Sequence, residues 1–148
     1  MEDIIRIEEL VKLYPVIRRG IFRSKQVGVI RAVDNITFSI RRGETLGLVG
    51  ESGCGKSTTA RTMLYLTDPT SGSAIFDGTD ILQTFKQGNK EEVLKIRRRL
   101  QYVFQDPYLS LNPRWSIAET IFEPFRVHRH LPENQWEDRM MELLGMRS

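Results

Sequence analysis

Cysteine is nearly missing: Cys54 stands alone in 148 residues. That excludes an internal disulfide framework and fits a reducing compartment. No apolar run approaches the ~18 to 20 residues that a membrane span needs. The opening MEDIIRIEEL is acidic and has neither the basic nor the apolar stretch of a secretory leader. These absences lead to the expectation of a cytoplasmic chain that would meet a membrane only through a partner. Internal repeats and low-complexity tracts are absent as well. Neither charge sign dominates, since 22 Lys and Arg against 19 Asp and Glu leave +3. A dispersed +3 is weak support for nucleic-acid binding. What remains is ordinary globular material, 40% hydrophobic and 28% charged, of one-domain length.

The local patterns predict a mixture of strands and helices. Residues 4–13 and 29–40 are rich in Ile, Val, Phe and Thr with partial alternation, which predicts two strands. Between them, PVIRRGIFRSKQVG holds Pro15, two glycines and a basic cluster, and predicts a long loop whose cations are solvated. Residues 41–44 predict a turn and residues 45–49 a short apolar strand. Ala60, Met63 and Leu64 then share a helical face that ends before Pro69. Residues 73–76 and 79–82 flank Asp77-Gly78, a two-residue hairpin signal. Asn89 and Glu92 form a helix-capping pair for residues 90–99, whose closing Arg97-Arg98-Arg99 complements the helix dipole. Residues 100–104 predict another apolar strand. Ser116 and Glu119 form a capping box ahead of Ile117, Ile121 and Phe125, with Pro124 as a kink or stop. Trp136, Met140 and Leu143 predict a last helix closed near Gly145.

The stretch LVGESGCGKSTTA concentrates backbone freedom and one cation in a single place. Gly50, four residues, then Gly55-Lys56-Ser57 is the pattern of a phosphate-binding loop, set between a predicted strand and a predicted helix. Gly50, Gly53 and Gly55 allow the backbone N–H groups to face inward with no side chain in the way. The positive end of the helix dipole adds to the same spot. Lys56 would reach the β and γ phosphates, and the Ser57 hydroxyl would enter a Mg²⁺ shell. Ser52, Cys54 and Thr58 complete the loop. With no His or Asp placed beside it, Cys54 reads as a small filler rather than a catalytic thiol. Kinases, GTPases, helicases and transport ATPases all remain open on this motif.

GETLGLVGESGCGKST, PTSG, FDG, RRRLQYVFQDPYLSLNPR and AETIFEPFRVH together resemble the ATP-binding subunits of ABC transporters. The similarity is greatest to those of oligopeptide, dipeptide and nickel importers, and QDPYLSLNPR is the specific marker. The resemblance implies an α/β P-loop NTPase fold. An antiparallel β subdomain and partial parallel core would occupy residues 1–105, with the Q-loop and the start of a helical subdomain in 106–148. It implies ATP and Mg²⁺ as cofactors, and Tyr14 as the aromatic that stacks on adenine. Gln105 becomes the glutamine that touches Mg²⁺ and the attacking water. The stretch bounded by Asp106 and Arg114 becomes the surface that grips the permease subunits. A head-to-tail dimer with a second ATP-binding subunit, at the cytoplasmic face of the membrane, completes the expectation.

Other family elements are not found. There is no LSGGQ-type signature, and Thr70-Ser71-Gly72-Ser73 reads as a turn. Ala74-Ile75-Phe76-Asp77 imitates the start of a Walker B strand, but Gly78 follows and a hairpin explains it better. His128 and His130 read as surface residues rather than a switch histidine. The chain is therefore expected to end inside the helical subdomain and to bind ATP without turnover. Its two core strands would lack neighbours, which predicts marginal stability or aggregation. A soluble ABC-type ATPase acting on nucleic acid or ribosomes is the second reading, although QDPYLSLNPR favours a permease and no nucleic acid is expected. A small-molecule kinase or GTPase is also considered, but no NKxD motif is present.

Overall fold

Ile- and Val-rich sequence in the first third of the chain forms two long antiparallel strands, β1 (Asp3–Arg19) and β2 (Ser24–Arg41). They pair from Asp3 opposite Arg41 to Arg19 opposite Ser24. The computed structural model describes residues 2–20, 23–129 and 131–146. After β2 come α1 (Lys56–Met63), β3 (Ser71–Phe76), β4 (Thr79–Asp80), α2 (Ile81–Gln87) and α3 (Lys90–Arg99). The sheet order is β2-β1-β3-β4, with every pairing antiparallel. The chain divides into two compact units, Met1–Ile96 and Arg97–Ser148.

The first unit buries one face of the sheet under its helices. Ile7, Leu10 and Ala74 are wholly buried, joined by Val33, Phe76, Met63, Ile81 and Leu82. Burying such aliphatic side chains contributes roughly 1.5 to 3 kcal/mol each. A register shift at Glu9, with φ of 48°, bends β1, and the displaced Glu9 amide donates to Thr37 Oγ1 at 3.0 Å. Gly72 faces this bulge. A Cβ there would lie 2.5 Å from the Glu9 carbonyl oxygen, so only glycine lets β3 close on β1.

Several local expectations are corrected. Of the expected loop over residues 15–28, Pro15 to Arg19 and Ser24 to Gly28 are instead strand, the outer half of the β1–β2 ribbon, while Ile21 and Phe22 lie outside the described residues. Beyond Val11, β1 pairs with β2 alone, so Pro15 sits on a strand with one open edge, where its missing N–H is tolerated. Residues 70–73 are not a turn: Ser71 opens β3, and the Thr70 N–H donates to the Val11 carbonyl at 2.8 Å. The second hairpin strand stops at Asp80 instead of continuing to residue 82. Asp80 accepts from the Gln83 amide at 2.9 Å and so caps α2. The hairpin turn itself is as expected, with Asp77 and Gly78 both at positive φ. The segments 45–49 and 100–104, expected as core strands, carry no strand ladder among the described residues. Most of their apolar side chains are exposed, Val49 at 94% and Val103 at 91%, while Leu100 and Tyr102 are half-buried. Strands of a parallel sheet are stable where both of their faces are covered, and among the described residues these segments have neither a strand neighbour nor that cover.

The second unit is helical, with α4 (Pro107–Ser110), α5 (Ile117–His128), a 3₁₀ turn (Glu133–Gln135) and α6 (Trp136–Leu143). The capping box forms as expected: the Glu119 amide donates to Ser116 Oγ at 3.1 Å, and the Ser116 amide donates to Glu119 Oε2 at 2.7 Å. Pro124 does not stop α5, which continues one turn to His128; the Arg98 guanidinium donates to the His128 carbonyl. Phe122 lies 5.5 Å from Trp136, centroid to centroid, and Phe125 lies 6.2 Å from it, pinning α5 to α6. Gly145, at positive φ, follows the last helix.

Candidate phosphate-binding site

The loop from Gly50 to Lys56 has the backbone that its glycines suggested. Gly50, Gly53 and Gly55 have φ of 153°, 83° and 98°, a region that L side chains rarely adopt. Gly55 is doubly constrained, because a Cβ on it would stand 2.3 Å from the Ala32 carbonyl oxygen. Strand β2 therefore backs the loop directly, through a residue that the motif does not mention. The Cys54 amide donates to the Glu51 carbonyl at 3.4 Å, and the first α1 bond runs from the Thr59 amide to the Gly55 carbonyl at 2.8 Å.

Between these two bonds lies a row of donors. Among the described residues, no acceptor engages the backbone N–H of Gly53, Gly55, Lys56, Ser57 or Thr58. They sit at the start of α1, whose first turn holds no acidic side chain to compete for them. Unengaged amides at the positive end of a helix dipole form an anion-binding cup.

Lys56 closes the cup. Its ammonium donates to the carbonyl oxygens of Gly50 and Glu51, each at 2.7 Å, and lies 3.4 Å from Cys54 Sγ. Cys54 is free and exposed. Tyr14, on β1, is 39% exposed, and the Lys12 ammonium covers one ring face 4.8 Å from its centroid. Lys12 was missed in the sequence; its place two residues before Tyr14 on a strand was the available signal.

Gln105 belongs to the second unit and is exposed. Next to it, Asp106 Oδ1 accepts from the Tyr108 amide at 2.9 Å and opens α4. An apolar cavity of about 370 Å³ follows, lined by Tyr108, Leu111, Pro113, Trp115, Ile117 and Ile121 among others. Most of that lining falls within or just after the stretch bounded by Asp106 and Arg114. Asp77 ion-pairs with Arg42 at 2.8 Å in the hairpin turn, as a structural rather than catalytic carboxylate does. His128 closes α5, while His130 lies outside the described residues. Among the described residues, no group of three or more His, Cys, Asp or Glu could hold a metal ion, and no helix is long and apolar enough to cross a membrane.

Comparison with known proteins agrees with this geometry. The chain is 44% identical over 144 residues to the oligopeptide transport ATP-binding protein AppF of Bacillus subtilis (strain 168), covering 97% of this chain and 42% of that protein. It is 41% identical over 143 residues to the glutathione import ATP-binding protein GsiA of Escherichia coli (strain K12), covering 97% of this chain and 22% of that protein. The chain thus spans less than half the length of these relatives. Among solved structures, the dimeric ATP-binding cassette MJ0796 in a post-hydrolysis state with ADP and Pi superposes with a TM-score of 0.71. The two are 26% identical, over 96% of this chain and 56% of that one. The ABC transporter family model matches residues 33–148. On that match, over residues 33–148, the chain belongs to the ABC transporter family.

Proposed function

We propose that this chain binds MgATP as part of the ATP-binding subunit of an ABC importer for peptides. The observation that supports the reading is the set of unengaged amides of Gly53, Gly55, Lys56, Ser57 and Thr58 around the Lys56 ammonium. The triphosphate would take those N–H donors and Lys56, and the Ser57 hydroxyl would ligate the Mg²⁺ that arrives with the nucleotide. Tyr14 would stack on adenine with the ring face that Lys12 leaves open. Gln105 would take the role that the family resemblance gives it, touching Mg²⁺ and the attacking water. The substrate class rests on relatives named for oligopeptide and glutathione import.

Binding without turnover is the expected behaviour of these 148 residues. Hydrolysis needs a carboxylate to polarise water, and the one carboxylate that follows an apolar run, Asp77, is committed to Arg42. The permease would dock on the stretch bounded by Asp106 and Arg114, where the apolar cavity offers an anchor for a helix side chain. A second ATP-binding subunit would complete a head-to-tail pair at the cytoplasmic membrane face. Calorimetric titration with MgATP, alongside a phosphate-release assay, tests the proposal. Saturable binding with no release is the expected result; absence of binding would overturn it.

A further inference from the structure

Past Tyr14, the β1–β2 ribbon has no part in the nucleotide site proposed above, and its composition is unlike that of the rest of the chain. Residues 10–33 contain six Lys and Arg and not one Asp or Glu. The whole chain is only +3, so the remainder is net acidic. In the structure this segment extends past the last β1–β3 pair at Val11 as a two-stranded ribbon. Every described residue from Tyr14 to Arg31 is exposed. Arg18 stands directly opposite Lys25. Like charges facing each other across a ladder are destabilising, and here no carboxylate relieves them. Among the described residues, Arg18, Arg19, Arg23 and Lys25 have no ion-pair partner. Alongside these cations the ribbon exposes Val16, Ile17, Val27, Val29 and Ile30, with Ile17, Val27 and Ile30 each above half exposure.

We infer that this ribbon binds the surface of an anionic phospholipid membrane. Phosphate headgroups would neutralise the uncompensated cations, while the aliphatic side chains enter the headgroup–acyl boundary. Past Tyr14, the large exposed apolar side chains of the described ribbon are all Val and Ile, which favours lipid among anionic partners: a nucleic-acid surface gains from aromatic rings that stack on bases, whereas Val and Ile gain only from leaving water. The contact uses residues other than those proposed to dock the permease or to bind phosphate, so it would add a direct lipid attachment to the subunit.

Co-sedimentation of the full chain with phosphatidylcholine vesicles, with and without phosphatidylglycerol, tests this. Binding is expected only with phosphatidylglycerol, and it should fall as salt is raised. Arg18→Glu turns the like-charged pair into an opposite-charged one. It should therefore raise the melting temperature slightly while lowering vesicle affinity roughly tenfold. Ile17→Ser with Val27→Ser should weaken binding without changing its salt dependence. MgATP affinity should be unchanged in all these variants, so a failure here leaves the nucleotide site standing. Equal binding to both vesicle types, parental affinity in Arg18→Glu, or capture of RNA in preference to anionic vesicles would each overturn the inference.

Discussion

The Lys56 ammonium donates to the carbonyl oxygen of Gly50, 2.7 Å away and six residues back in the chain. With the matching bond to Glu51, this ties the end of the loop to its beginning, so one cation holds the cup in shape before any phosphate arrives. Lys56→Ala removes both the tie and the charge. Charge-assisted hydrogen bonds are worth about 1.5–3 kcal/mol each, so MgATP affinity should fall at least tenfold (order of magnitude) by calorimetry. Parental affinity in the variant would show that the triphosphate sits elsewhere.

Gly53 and Gly55 share a positive φ but not a neighbourhood. Nothing lies within 4 Å of a Cβ built on Gly53, while the same atom on Gly55 meets the Ala32 carbonyl oxygen at 2.3 Å. Gly53→Ala should therefore cost only the conformational strain, about 1–2 kcal/mol. Gly55→Ala must also push the loop off β2 and should cost clearly more. Urea melts of the two variants give the comparison. Equal losses would mean that the loop is not seated on β2.

The backbone of the glycine loop was legible because it is local: glycine at three positions permits the conformations that Gly50, Gly53 and Gly55 adopt. The capping box at Ser116 and Glu119 was legible for the same reason, as were the bounds of α3, which match the expected 90–99. The ribbon was misread because Pro15 and the glycines are strong loop signals on their own. Only the pairing of β1 with β2 shows that an open edge accommodates them. The start of α2 was missed because Ile81 and Leu82 fit a strand as well as a helix, and the Asp80 side chain settles the matter by capping. Segments 45–49 and 100–104 depend on partners distant in sequence, which no local pattern encodes.

Tyr14 offers one ring face, since Lys12 occupies the other at 4.8 Å. Stacking of a base on an aromatic ring is worth roughly 1–3 kcal/mol. Tyr14→Ala should weaken ATP binding about fivefold to a hundredfold, while Tyr14→Phe keeps most of it. Inorganic triphosphate has no base, so its affinity should be the same in all three proteins. Competition against a fluorescent ATP analogue measures each value. Loss of triphosphate affinity in Tyr14→Ala would point to a distorted ribbon instead of a missing platform.

Glu119 carries a pH dependence whose sign is fixed by its partners. The backbone N–H and then the hydroxyl of Ser116 hold its carboxylate below its usual value of 4.5. A group depressed in the folded state stabilises above its unfolded pKa, and that contribution fades as pH falls through the folded value. The capping box should therefore give constant support to α5 at neutral pH and lose it progressively below about pH 4.5. Glu119→Gln has no proton to gain. The stability difference between parent and Glu119→Gln should be largest near neutrality and shrink in acid, as followed by urea melts across that range. Ser116→Ala should cost about 1 kcal/mol at neutral pH by removing the partner. If the parent–Gln difference stays constant down to pH values well below 4.5, the ionised Glu119 contributes nothing to the cap, and the helix start is held by Ser116 alone.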